Sequence, residues 1–189
     1  MTGGRDTPES QSDTGGHRRT SPPDSGGERA RADGGTDPSR DRHRILREVR
    51  GELVRHPAVR SVEGEPPAGY RELQAALDPS WFGRPAETAS LRLTWIPNPS
   101  PGPEASDRAN DAWMRTPIRA YYILHYSEPD GLDCGFHCEP NPHVDGLLHY
   151  QRRENDGYTY DPVSFDARSV TGLLWEMLDA LADRLGGLD

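Results

Sequence analysis

Residues 121–151 read "YYILHYSEPDGLDCGFHCEPNPHVDGLLHYQ" and hold both cysteines and four of the seven histidines of the chain. Apolar and aromatic residues alternate with polar ones here, which is the period of a β-strand buried on one face. Pro129, Asp130 and Gly131 fit a three-residue hairpin loop, because glycine readily takes the left-handed conformation that such a loop needs. The stretch therefore predicts three antiparallel strands, at 118–127, 132–139 and 147–152.

Strand parity predicts two different faces for this hairpin. Cys134 and Cys138 fall on the apolar face with the other inward positions, so we expect both thiols in the core. The hairpin loop sets a register in which His125 lies diagonal to His137, and His137 lies directly across from His149. The three histidines should then cluster on the opposite face, which is predicted to be half exposed to solvent.

The flanking sequence completes an α+β pattern. Helical spacing of apolar residues predicts helices at 39–55 and 70–77 and a closing helix at 168–185, and strand alternation predicts further strands at 89–97 and 158–165. We therefore predict an antiparallel β-meander of about five strands, with N-terminal and C-terminal helices packed on one face. Residues 39–189 should form this single domain. Residues 1–38 contain no large apolar side chain apart from Met1 and are predicted to be a disordered tail.

The charge balance limits the ligands that the chain can bind. All 22 basic residues are arginine, and the formal net charge is −9. An acidic surface argues against non-specific binding of duplex nucleic acid, which depends on neutralising many phosphates. Short-range contacts to a single-stranded or base-stacked ligand remain compatible with it. No secretory signal or membrane span is visible, which predicts a cytoplasmic protein that does not bind membranes.

The histidine face suggests acid–base chemistry. Imidazole titrates near neutral pH, so His125, His137 and His149 are the candidate catalytic residues. Arg152 could hold a phosphate through a bidentate fork. Tyr121, beside the cluster, and His143, on the loop before the last of the three strands, are the further candidates for substrate binding. The alternative is an ordinary solvated sheet face. We predict no metal and no cofactor, because the cysteines lie on the face opposite His137.

The same stretch carries a family resemblance. Residues 121–151, with the closing helix at 168–185, are similar to the TumE type of toxin from toxin–antitoxin modules. The segment "GFHCEPNPHVDGLLHYQ" also resembles a family of uncharacterised haloarchaeal proteins. The TumE resemblance implies a toxin that acts on RNA or nucleotides and is neutralised by an antitoxin protein. The residues that the resemblance would assign to the toxin's site are four histidines: His125, His137, His143 and His149.

Two other functions stay open at this point. The domain could be a non-catalytic interaction module whose acidic body binds a protein partner, or a metal-binding protein that uses the histidines alone. The oligomeric state is not predicted by the sequence.

Overall fold

The computed structural model describes residues 37–97, 99, 118–155 and 157–186. These residues belong to one compact unit, Gly35–Asp189. The predicted disordered tail lies outside the described residues except for Asp37 and Pro38, which begin the first helix. No helix in the described part of the chain is long and apolar enough to cross a bilayer.

The described residues form an α+β fold, with two α-helices and seven antiparallel strands. The elements in chain order are α1 (Pro38–Leu53), β1 (Val59–Glu65), β2 (Glu72–Leu77), a 3-10 turn (Pro79–Phe82), β3 (Ala89–Pro97), β4 (Ala120–Ser127), β5 (Asp133–Cys138), β6 (Leu148–Glu154), β7 (Gly157–Pro162) and α2 (Val170–Gly186). Each strand pairs with the next one along the chain, so the sheet is a simple meander from β1 to β7.

The prediction of about five strands was wrong, because β1 and β2 were not foreseen. Residues 70–77 were predicted as a helix, but Glu72–Leu77 is strand β2, whose buried residues alternate with exposed ones. Its sequence "ELQAAL" is rich in helix formers, and its pairing with β1 and β3 overrides that local preference. Strand β1 has only two large apolar residues, Val59 and Val62, so its alternation of apolar and polar residues is weak.

Both helices contribute to one apolar core with the inward residues of the sheet. The Asp37 carboxylate accepts a hydrogen bond from the Ser39 backbone N–H and caps α1. In α2 the predicted apolar face is confirmed. The buried residues of the two helices are Leu46, Val49 and Leu53 in α1, and Leu173, Leu174, Met177, Leu178, Leu181 and Leu185 in α2.

The β4–β5 hairpin forms as predicted. Gly131 has a φ of +103°, and the Glu128 N–H donates to the Leu132 carbonyl across the loop. Burial alternates along β4, and the apolar faces of β4 and β5 point into the core. The cysteines, Cys134 and Cys138, are free and buried on this side, as expected.

A buried ion pair ties the end of β4 to the chain after the 3-10 turn. Arg84 donates to both carboxylate oxygens of Glu128, at 3.0 Å from Nε and 3.3 Å from Nη2. The Tyr126 hydroxyl donates to the same carboxylate at 2.6 Å, and the Glu128 side chain is fully buried. A carboxylate at this depth is stable only while its cation and its donors are in place.

We expect Arg84→Met to lower the free energy of unfolding by about 3 kcal/mol, because it leaves the Glu128 carboxylate buried without its cation. Urea denaturation at a fixed salt concentration measures the change. Arg55→Met is the control, since it removes an exposed pair with Glu52 and should cost less than about 1 kcal/mol. An equally small loss for Arg84→Met would show that this pair does not hold the hairpin.

Candidate active site

The sheet register brings three histidines together on the face opposite the core. His137 pairs with Ile123 on β4 and with His149 on β6, and His125 pairs with Gly135. The predicted register of β4, β5 and β6 is therefore confirmed. The ring centroid of His137 lies 5.5 Å from that of His125 and 5.6 Å from that of His149.

Gly135 has a steric role between these histidines. A Cβ atom at this position would come within 2.3 Å of the Leu124 carbonyl oxygen and 2.8 Å of the His125 Cα. Only glycine permits so close an approach of the two strands.

Two of the histidines form the middle of a linear hydrogen-bond chain. The Asp133 Oδ1 lies 2.7 Å from the His125 Nε2, and the His125 Nδ1 lies 3.2 Å from the His137 Nε2. The far nitrogen of His137, Nδ1, lies 3.1 Å from the Glu139 Oε1. A carboxylate therefore stands at each end, and two imidazoles touch in the middle.

If all three contacts are hydrogen bonds, they require a definite number of hydrogens on the two rings. Ionised carboxylates only accept, so both outer ring nitrogens must carry hydrogen, and the contact between the rings needs one more. Three hydrogens on four ring nitrogens mean that one imidazole is doubly protonated. The chain is thus complete only when His125 and His137 together carry one positive charge.

A neutral His125 makes His137 the donor in the contact between the two rings. Burial lowers the pKa of His125 and keeps this ring neutral, against the opposing effect of Asp133. The hydrogen bond from His137 lowers the pKa of Glu139 and keeps its carboxylate ionised beside the ring. His125 then donates from Nε2 to Asp133, while its Nδ1 accepts from the His137 Nε2–H.

His149 is occupied by the protein on both ring nitrogens. Its Nδ1 lies 3.2 Å from the Leu147 carbonyl oxygen and its Nε2 lies 3.2 Å from the Asn141 amide nitrogen. The first contact makes Nδ1 the protonated nitrogen, so Nε2 accepts from Asn141. Burial lowers the pKa of this ring as well. The structure brings His149 next to His137, but it leaves no ring nitrogen of His149 free for a substrate.

An open groove of about 420 Å³ runs across the sheet face that carries the hydrogen-bonded histidines. Both His125 and His137 line it, and so does Asp133. Further lining residues come from strands on either side of the histidines: Gln74 on β2, Arg92 on β3, Gln151 on β6 and Tyr158 on β7.

The histidines are more buried than a half-exposed sheet face predicts. The exposed fraction is 6% for His137 and 0% for His149. The expectation of half-exposed histidines was therefore wrong for His137 and His149, whereas His125 is only partly buried. Aromatic residues of β7 and the loop before β6 cover this end of the sheet, since the Tyr160 ring lies 5.8 Å from that of His149 and 5.2 Å from that of His143.

The three predicted substrate-binding residues lie apart from the histidine pair. Arg152 pairs with Cys134, on the helix-covered face, so the structure does not bring it to the groove. Tyr121 pairs with Ile96 near the beginning of β4 and is half-buried. His143 lies on the loop before β6 and stacks on Tyr160. None of the three is among the described residues that line the groove.

Sequence reasoning missed Arg92 and Tyr158 as groove residues. Arg92 pairs directly with His125, and its charge is one of the influences that lower the pKa of that ring. The Tyr158 hydroxyl donates to the Asp133 Oδ1 at 3.3 Å. Their positions on outward faces of predicted strands were visible in the sequence. Their closeness to His125 was not, because it depends on pairings between strands that are distant along the chain.

Metal coordination has little support in this geometry. Within the described residues no group of three or more histidine, cysteine or acidic side chains could hold a metal ion. The cysteines face the core, away from His137, and burial raises the pKa of Cys138 to about 12, which disfavours the thiolate that metals bind.

Acid should destabilise the protein through His149. Its pKa is lowered in the folded state, so its contribution to the free energy of unfolding is fully present above pH 6.5 and is lost as the pH falls. His149→Asn keeps a donor for the Leu147 carbonyl and removes the titrating ring. Urea denaturation at pH 7 and pH 5 should show a smaller loss of stability for this variant than for the wild type. Equal losses would contradict a buried neutral His149.

The chain matches no protein-family model, no curated protein and no solved structure. The similarity to TumE-type toxins stays a prediction, and any function assigned to the groove depends on its own geometry and chemistry.

Proposed function

We propose that the protein is a metal-independent ribonuclease that cleaves single-stranded RNA with His125 as general base and His137 as general acid. The observation that carries this proposal is the 3.2 Å contact between the His125 Nδ1 and the His137 Nε2 at the wall of an open groove. RNA cleavage by its own 2′-hydroxyl needs one group that takes a proton and one that gives a proton, and it needs no water or metal.

The proposed reaction begins when a substrate ribose and phosphate replace the contact between the two rings. The 2′-hydroxyl oxygen attacks the adjacent phosphorus, and its proton passes to the His125 Nδ1. The bond from phosphorus to the 5′-oxygen breaks, and that oxygen takes the proton from the His137 Nε2. The products are a 2′,3′-cyclic phosphate and a free 5′-hydroxyl, and the pair has exchanged its acid and base forms.

The two carboxylates give each histidine its role. Asp133 accepts the Nε2–H of His125, which leaves the lone pair on Nδ1 and stabilises the cation that forms when Nδ1 takes a proton. Glu139 accepts the Nδ1–H of His137, which leaves Nε2 as the atom from which this ring gives its proton. His149 packs beside His137 and orients it, so in this proposal its role is positional.

The groove suits a single strand better than a duplex. It lies on a sheet face, where bases can spread and stack, and its lining includes Tyr158 and one arginine, Arg92. The formal net charge of −9 disfavours the many phosphate contacts that duplex binding uses. A few contacts at short range are enough for a single strand.

A ribonuclease of this kind would act as a toxin in the cell, which agrees with the resemblance of residues 121–151 to TumE-type toxins. We propose an antitoxin protein as its partner. A binding module without catalysis is the competing function, and a chain that binds RNA or protein but never cleaves would support it.

Purified full-length protein should cleave a fluorescent single-stranded RNA in the presence of EDTA. His125→Gln and His137→Gln should each lower the cleavage rate by about 10²–10⁴-fold, because each removes one proton-transfer group. Replacing the riboses by 2′-deoxyriboses should abolish cleavage, since the nucleophile is then absent. A gel or mass spectrum should identify the cyclic phosphate product.

The matched control is His43→Asn on α1, outside the groove, whose side chain can still accept the hydrogen bond from the Tyr70 N–H. It should retain wild-type cleavage. Circular dichroism confirms that each variant is folded. Cleavage that survives His137→Gln in a folded protein, or that requires a divalent cation, would refute the proposal. In cells, wild-type protein should inhibit growth and His137→Gln should not.

A further inference from the structure

The groove contains an aromatic ring and a guanidinium on opposite sides of the histidine pair. Tyr158 comes from the edge strand β7, and Arg92 comes from β3. We infer that the groove is a nucleotide subsite in which a nucleobase stacks on Tyr158 while Arg92 holds the adjoining phosphate. This inference rests on the proposed function for its choice of ligand, but it concerns binding and not cleavage.

Tyr158 has the properties of a stacking platform. It is 40% exposed, although a large aromatic side chain on a sheet is more often covered. Its hydroxyl is held by the Asp133 Oδ1, which also accepts from the His125 Nε2. The ring is therefore fixed in orientation within a few ångströms of the histidine pair, and it remains accessible. Every nucleobase has a face that can stack on such a ring.

Arg92 has the properties of a phosphate ligand. It pairs with His125 on one side and with Gln74 on the other, and both of these residues also line the groove. It forms no ion pair with any acidic side chain in the described part of the chain, whereas Arg84 and Arg184 do. An exposed guanidinium without an acidic partner can form a bidentate contact with a phosphate.

Both groups border the histidine pair, Tyr158 through Asp133 and Arg92 through its pairing with His125. The Tyr158 hydroxyl and the His125 Nε2 share a single acceptor atom, at 3.3 Å and 2.7 Å, and Arg92 stands directly across from His125. In the inferred subsite, a base on Tyr158 has its phosphate over the histidine pair and beside Arg92. There the guanidinium would also stabilise negative charge on the phosphate during reaction.

Binding of a non-cleavable RNA analogue tests this inference. The probe is a fluorescent tetranucleotide with 2′-fluoro riboses, which lacks the attacking hydroxyl. Fluorescence anisotropy with the full-length chain should give a dissociation constant that rises roughly 10-fold in Tyr158→Ala and in Arg92→Met. Tyr158→Phe keeps the ring and should retain most of the affinity.

Two further measurements separate stacking from phosphate binding. A probe without bases should bind more weakly to the wild type and should not respond to Tyr158→Ala. Arg92→Met should lower the slope of log affinity against log salt concentration by about 0.7, as expected for one lost phosphate contact on a single strand.

The controls are Arg47→Met, which removes the same charge from α1, and Trp81→Ala, which removes an exposed aromatic side chain of the 3-10 turn. Neither should change probe affinity. Unchanged affinity in folded Tyr158→Ala and Arg92→Met, or no binding by the wild type at millimolar probe, would overturn the inference. Binding that depends on both residues without cleavage of the matching ribonucleotide would uphold the subsite and refute the ribonuclease.

Discussion

The burial of alternate residues along β4 and β5 is the constraint on which the site depends. Leu124 and Phe136 are fully buried and pair across the hairpin, so a slip of one residue in either strand would turn these side chains to the solvent. Because side chains alternate along a strand, His125 and His137 then lie on the face opposite the core. The apolar core thus specifies the arrangement of the histidines, although it contains none of the groups that would do chemistry.

Burial of the histidine pair has a second consequence. Imidazoles that are largely removed from water cannot take up charge without compensation, and Asp133 and Glu139 supply it at the two ends of the chain. The two facing ring nitrogens share one hydrogen, so the two imidazoles differ in protonation although they touch. A buried pair with one proton in excess is suited to give a proton at one atom and to take it at another.

The hairpin and its register could be predicted from the sequence because local and long-range signals agree there. The turn residues, the alternation and the loop length all lead to one pairing, and Gly131 takes the expected conformation. Strand β2 could not be predicted in the same way, since "ELQAAL" favours a helix until its neighbours pair with it. The groove was equally hidden, because Arg92 and Tyr158 are distant in sequence and meet only through the meander. His137 is buried because β7 and the loop before β6 pack over it, and the alternation of residues along a strand does not predict that packing.

Nitrogen NMR of the full-length chain with labelled histidines can detect the proton that the two rings share. Near neutral pH, we predict two protonated nitrogens on His137 and protonation of only Nε2 on His125. A coupling between the His137 Nε2 and the His125 Nδ1 should report the hydrogen bond that joins the rings. A neutral His137 with a single protonated nitrogen, while Glu139 is ionised, would show that the two rings do not share an extra proton.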